Sequence, residues 1–304
     1  MNFVSNERVD RPTIEYCWTS KGLKPFVDNC FHLRYHSING GWRIAIQVCC
    51  PIIVLSSSEV TMIVKRILCL ANSRKMNGHC VAGREVLDAG PGLWIRPVST
   101  RPSEEVSEEE IRYQDGSNPK VLDIIDIPLI QHKPNACQTE NWLLDPNRRW
   151  TKVGRASWDD LQQYVEDPAT LWINGYSTSR GSNDRIPQDD ADTLPNSLVL
   201  IRVPDLKLNV FAPGATYRES QRVQADFCHR GIRYALWVTD PRVEKYFDAQ
   251  PDGTYRVGEC CLCVSLGEPY NGYRYKLVAA VIRRHQIPPK RGILLFGFGR
   301  RCYG

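Results

Sequence analysis

Residues 62–99 read MIVKRILCLANSRKMNGHCVAGREVLDAGPGLWIRPVS, and this stretch decides the fold. Positions 63–71 form a near-continuous apolar run, interrupted only by Lys65 and Arg66. A run of this length, rich in β-branched residues and followed by a polar cluster, predicts a strand buried on both faces. Asn72-Ser73-Arg74-Lys75 then reads as a polar, basic loop, for which a phosphate-binding role and a solvated turn are equal alternatives. A second apolar stretch, 80–87, leads to the turn Ala89-Gly90-Pro91-Gly92. The next strand, 93–98, alternates: Leu93, Ile95 and Pro97 share one face, Trp94 and Arg96 the other. A Trp beside an Arg on the face away from the core offers a stacking plane and a phosphate clamp, which suits a nucleotide or an exposed base. An Arg stacked on Trp is also a common structural pair.

Outward from there the pattern stays β-rich. Residues 121–130, VLDIIDIPLI, predict another buried strand, with Asp123 and Asp126 near its polar edges. The acidic segment 103–112 reads as a solvated helix face capped by Ser103. Gln138-Thr139-Glu140-Asn141 forms a polar cluster in the following loop. A helix is expected over 150–166, capped by Ser157, striped by Trp158, Leu161 and Val165, and stopped by Pro168. Together with Trp142, Trp150 and Trp172, this segment is expected to pack two barrels against each other. The loop 175–187, GYSTSRGSNDRIP, is too long for a simple hairpin, and its Asn183, Asp184 and Arg185 are candidates for a polar pocket. Strands follow at 197–203, 206–211, 217–227, 232–239, 258–265 and 275–282, with turns at Pro204-Asp205, Pro213-Gly214, Arg230-Gly231 and Asn271-Gly272. That spacing predicts a second antiparallel barrel. Asp240 is expected to cap a short helix, and Glu268 and Lys276 to form a cross-strand ion pair.

Charge and composition narrow the function. At 304 residues the chain has room for two small domains. The net charge is +5, but residues 283–304 alone carry six Lys/Arg and no Asp/Glu, so the basic excess lies in the tail. A basic body of the kind that coats a duplex is therefore not expected, whereas a local, shape-defined site remains open. The twelve cysteines contain no pair of CxxC motifs, and Cys260-Cys261-Leu262-Cys263 lies in an apolar strand whose alternate residues face apart. His79-Cys80 and Cys228-His229 are candidates to meet in space as a zinc site; buried free thiols are the simpler expectation. The apolar patch 45–55 falls short of the ~20 residues a membrane helix needs, and no signal-peptide pattern opens the chain, so a cytoplasmic location is expected.

LCLANSRK, HCVAGREV and GLWIRPVS, followed by SNDRI, WVTDP and CVSLGEPYNGYRYKLVAAVI, together resemble the dual OB-containing domain of prokaryotes, over about residues 62–283. The resemblance implies two OB-like β-barrels and binding of a nucleic acid or nucleotide, as a sensor in a defence-type system with a protein partner from that system. It carries over Ser73, Arg74, Cys80, Arg84, Trp94, Arg96, Asn183, Asp184, Arg185, Asp240, Ser265 and Lys276 as motif positions, with no catalytic role attached. The expected organisation is a first barrel at 62–145, a helical connector and long loop at 146–190, a second barrel at 191–283 and a basic tail at 284–304. Residues 1–61 read either as an upstream extension, with translation starting at Met62, or as a small subdomain pairing strands 42–48 and 52–55.

Walker, GxSxG, HExxH and deaminase HxE patterns are missing from the sequence. The leading expectation is thus a binding module for single-stranded nucleic acid or a nucleotide, lined by Ser73, Arg74, Trp94, Arg96, Asn183, Asp184 and Arg185, with no cofactor, no metal and no membrane. One alternative is a hydrolase or nuclease in which Asp184 converges with Asp123, Asp126 or Asp240 on a divalent metal. The other is a protein-interaction adaptor.

Overall fold

A computed structural model describes residues 16–19, 22–25, 32–38, 41–47, 63–211, 221–284 and 290–291. Residues 1–60 form a unit of their own. In it β1 (Tyr16–Thr19) pairs antiparallel with β2 (Gly22–Pro25), and β3 (His32–Ile38) with β4 (Gly41–Gln47). The strand expected near Trp42 is thus present, but its partner is β3; residues 52–55 and Met62 lie outside the described residues. Of the basic tail, 285–289 and 292–304 also lie outside them.

The remaining chain builds two barrels of the same topology. The first contains β5 (Ile63–Lys75), β6 (Gly78–Leu87), β7 (Gly90–Val98), α1 (Glu108–Ile111), β8 (Asp123–His132) and β9 (Asn141–Leu144). Pairing runs β5-β6-β7-β9-β8 and returns to β5, with β7 and β9 parallel and the other neighbours antiparallel. A connector follows, with β10 (Thr151–Arg155), α2 (Trp158–Leu161), β11 (Arg185–Pro187) and α3 (Gln188–Asp192). The second barrel uses β12 (Leu198–Phe211), β13 (Arg222–His229), β14 (Ile232–Val238), α4 (Pro241–Phe247), β15 (Gly253–Tyr270) and β16 (Tyr273–Ile282). Its pairing runs β12-β13-β14-β16-β15 and returns to β12, with β14 and β16 parallel. β17 (Lys290–Arg291) extends the sheet beside β15. This five-strand Greek-key order, repeated twice, is that of the OB fold. The repetition lies in topology alone; the two halves share no visible sequence repeat.

Three hydrophobic clusters explain the continuous apolar runs. In β5, Ile67 and Cys69 enter the interior of the first barrel, while Leu68 and Leu70 face the second. In β15, Cys260, Leu262 and Val264 fill the second barrel, while Cys261 and Cys263 join Leu68 and Leu70 at the inter-barrel core. Leu198 and Leu200 of β12 and Ala280 and Ile282 of β16 complete that contact. Alternation is intact, but both faces are apolar because each faces a different hydrophobic cluster. Burial also pushes the Cys69 thiol up to about 12 and the Cys261 thiol up to about 11, so these cysteines pack as small apolar residues.

Several local expectations need correction. The helix expected over 150–166 is mostly not one: Thr151–Arg155 is a strand pairing with β8, and helix begins only at Trp158. Exposed and β-branched, TKVGR gains more from the β8 edge than from a helical face it cannot bury. Ser157 does cap α2, through a capping box with Asp160. The cap in the acidic segment is Ser107, which forms its box with Glu110, and not Ser103. Pro204-Asp205 is no turn; β12 runs through it with register shifts around Leu206. The tryptophans divide: Trp158 packs on the inter-barrel core, whereas Trp150 is fully buried inside the first barrel. Among the described residues no helix is long and apolar enough to cross a membrane.

Candidate functional site

Asn72–Lys75, expected as a loop, is the last part of β5, paired with β6 as far as Lys75↔Gly78. Ser73 is buried and donates to the Cys80 carbonyl at 3.4 Å. Arg74 reaches across to the second barrel, where Nη2 donates to Glu244 of α4 at 2.9 Å. The presumed phosphate loop is therefore a strand end docked on its neighbour.

Trp94 and Arg96 do share one face of β7, and that face is covered. Trp94 is 8% exposed and Arg96 2%, while Leu93 on the opposite face is 75% exposed. Trp94 packs into the inter-barrel core and its Nε1 donates to Glu166 at 3.2 Å. Arg96 Nη2 lies 2.8 Å from Glu140 Oε1 and 2.9 Å from Ser197 Oγ, and Ser197 Oγ donates to the same Glu140 oxygen at 2.5 Å. Burial is the largest single influence and acts to lower the Arg96 pKa, but the surrounding charges, Glu140 first and Glu268 among them, together hold the guanidinium above its ordinary value. The open face expected for this pair is thus occupied by the second barrel. The polar loop 138–141 joins the same contact, with Thr139 donating to the Pro195 carbonyl at 2.7 Å and Gln138 to Glu268 at 3.3 Å.

Asn183 and Asp184 organise their own loop. Asn183 Oδ1 accepts from Gly175 N and its Nδ2 donates to the Arg233 carbonyl, while both Asp184 oxygens accept from Thr178. Arg185 is different: its guanidinium lies 4.2 Å over the Tyr273 ring, and Tyr176 meets that ring tilted, with centroids 6.5 Å apart. Tyr176 and Tyr270 are exposed, so Arg185 sits in an aromatic and basic patch. Lys276 forms no ion pair with Glu268, which binds Lys75 at 2.6 Å. Lys276 turns into the barrel and donates to Ile173 O at 2.7 Å and Asn174 Oδ1 at 2.9 Å. Burial pushes its amine down to about 7, with the Asp184 charge working in the opposite direction.

The carboxylates do not converge. Asp123 binds Lys152 and Arg155, Asp126 binds Arg66, Asp240 caps α4 and holds Arg242, and Asp184 holds Thr178. His79 engages Asn72, while His229 engages the Pro168 carbonyl. Among the described residues no group of three His, Cys, Asp or Glu is placed to hold a metal ion.

The face the second strand pair of an OB barrel uses for ligands is covered in the first barrel and partly open in the second. There Lys207, Asn209 and Phe211 of β12, Arg222, Gln224 and Asp226 of β13, and Arg233, Ala235 and Trp237 of β14 alternate outward against an apolar interior. Arg222 lies 4.4 Å over the Trp237 ring, and Phe211 meets the same ring edge-on at 5.5 Å. The 175–184 loop borders this group: Gln224 donates to Arg180 O at 2.7 Å, and Ser182 bridges to Ala235. Lys207, Arg222 and Arg233 are exposed. The signal was present in the sequence as the alternation LKLNVF and the Trp of WVTDP, but it competed with an equally plausible Trp/Arg pair on β7.

The sequence profile of the family described as "Dual OB-containing domain" matches residues 65–281. No curated protein and no solved structure matches the chain.

Proposed function

Because the chain belongs to the dual OB-containing domain family, we propose that it is a binding module for single-stranded nucleic acid or a nucleotide, and that the ligand lies on the outer face of β12, β13 and β14. The observation that carries this reading is the Phe211–Trp237–Arg222 group on that face. OB folds use this strand face for oligonucleotides, and they bind single strands by stacking bases on aromatic rings beside a basic track. Lys207 extends the basic character away from Trp237, Arg233 is paired with Asp226 at 2.9 Å, and the Arg185–Tyr273 stack supplies a second planar cation beyond the 175–184 loop. A sensor in a prokaryotic defence-type system would need this kind of recognition, with signalling passed to a protein partner. The test is titration of single-strand DNA, single-strand RNA and free nucleotides at two salt concentrations, with the wild-type chain and Trp237→Ala. Loss of strand affinity in the variant supports the reading; affinity unchanged by the substitution overturns it.

A further inference from the structure

The connector and the start of the second barrel enclose a cleft of about 260 Å³ that the barrel-face reading does not use. Leu171, Val199 and the ring of Trp172 give it apolar walls, and Glu166, Thr170 and Asn196 bring polar atoms to it. Three features set it apart from a packing defect. The Trp172 backbone is left-handed, with φ of 56°, a conformation that bulky residues rarely adopt and that marks functional positions when surrounding contacts enforce it. Those contacts are present: Thr170 Oγ1 donates to the Trp172 carbonyl at 2.6 Å, and the indole Nε1 donates to Asn196 Oδ1 at 2.8 Å. The residue is thus held at its backbone carbonyl and at its indole N–H. Finally, Glu166 is fixed before any ligand arrives, with Oε2 accepting from Trp94 Nε1 at 3.2 Å and Leu200 N at 2.9 Å, and Oε1 lying 3.4 Å from Arg84 Nη1.

The remaining hydrogen-bonding capacity defines a ligand. Trp94 and Leu200 occupy the acceptor positions of Oε2, while Arg84 only approaches Oε1 at 3.4 Å, so Oε1 keeps its acceptor positions to offer. The Asn196 amide oxygen is engaged by the indole, which leaves Nδ2 to donate. An aromatic wall, a carboxylate and an amide donor in a space smaller than the ~300–1,000 Å³ of typical ligand pockets suit one planar ring system. We propose that this cleft binds a guanine-type base, stacked on Trp172, its N–H edge on Glu166 and its carbonyl oxygen on Asn196 Nδ2. Guanine presents adjacent N–H donors beside a carbonyl on a single edge. Adenine would point a ring lone pair at the carboxylate, and uracil flanks its one N–H with two carbonyls. The base comes either from a free guanine nucleotide or from an unstacked guanine in a single strand.

Calorimetric titration of the full chain with GMP, AMP, CMP and UMP, and with short single strands containing one guanine or none, tests this. GMP is expected to bind roughly tenfold or more tightly than the other mononucleotides, the scale of one good base-edge pair. Asn196→Asp keeps an oxygen for the indole but removes the donor; it should weaken GMP by about tenfold without moving the thermal midpoint. Glu166→Gln should weaken GMP as well. If only the guanine-containing strand binds, and Asn196→Asp weakens it, the base is presented by a strand. Equal binding of all four mononucleotides with no guanine preference among strands, no binding of any guanine ligand, or GMP affinity indifferent to Asn196→Asp overturns the proposal. Saturating GMP should not displace a guanine-free strand, which separates failure of this site from failure of the barrel face.

Discussion

Arg96 of β7 donates to Ser197 Oγ at 2.9 Å, and with this bond the first barrel is tied to the opening of the second through a side chain that is 2% exposed. Glu140 Oε1 accepts from both, while Arg96 Nε and Glu140 Oε2 are buried without a hydrogen-bond partner. Removing the cation alone leaves a buried carboxylate without its charge partner, a change that costs about 3–5 kcal/mol. Arg96→Ala should therefore lower stability by that order in urea unfolding, and Ser197→Ala by about 1–3 kcal/mol. Retention of full stability by Arg96→Ala would mean that the barrels are not coupled through this network.

Trp94 fills the same contact from the neighbouring position. Trp94→Ala should cost about 3–5 kcal/mol through the cavity it leaves. Affinity for guanine-free single strands, measured at a temperature where the variant is folded, should stay at the wild-type value. A selective loss of affinity at unchanged stability would return Trp94 to the ligand face.

On the open face the expectation is reversed. Trp237→Ala should lower single-strand affinity by about 1–3 kcal/mol if a base stacks there. Arg222→Ala should weaken binding and flatten its salt dependence by about one phosphate contact. The readout is the slope of log affinity against log salt for each variant; slopes identical to wild type would place the phosphates elsewhere.

Lys276 gives stability a pH dependence of a definite sign. Its folded value is lowered from 10.5 to about 7 by burial, so above pH 7 the unfolded chain binds the proton that the folded chain has released. This group's contribution should rise with pH between about 7 and 10.5 and be at its least below 7. Denaturant midpoints at the two ends of that window, for wild type and Lys276→Met, isolate the slope from the lost hydrogen bonds. Parallel pH profiles would show that the amine titrates near its ordinary value.

Gly83 sits where β6 passes β5 so closely that an added Cβ would lie 2.1 Å from the Leu68 carbonyl oxygen. The obstacle is backbone and cannot swing away. Gly83→Ala should destabilise by about 1–3 kcal/mol or more, the cost of overpacking. A thermal melt shows whether β5 and β6 can separate more cheaply than this.

The amino-acid order alone was sufficient for the β-rich class, for the two sets of strands and for the alternation within each. Those follow from local pattern: 63–71 and 258–265 are apolar on both faces, and short polar turns separate the strands around them. It was also sufficient to place Trp94 and Arg96 on one face and Ile95 on the other. What that face meets was not local. A strand apolar on both faces does not record which second surface covers it, and here Leu68 and Leu70 meet Cys261 and Cys263 from nearly two hundred residues away. Docking of one barrel on the other therefore decided that β7 is buried and that the comparable face with Trp237 remains accessible. Docking also gave Arg74 its partner Glu244, whereas Ser73 is held within its own β5–β6 hairpin, and the connector, where Ile173 and Asn174 supply its acceptors, drew Lys276 away from Glu268. Burial and partner choice depend on contacts between segments far apart in the chain, and these exist only once the tertiary structure has formed.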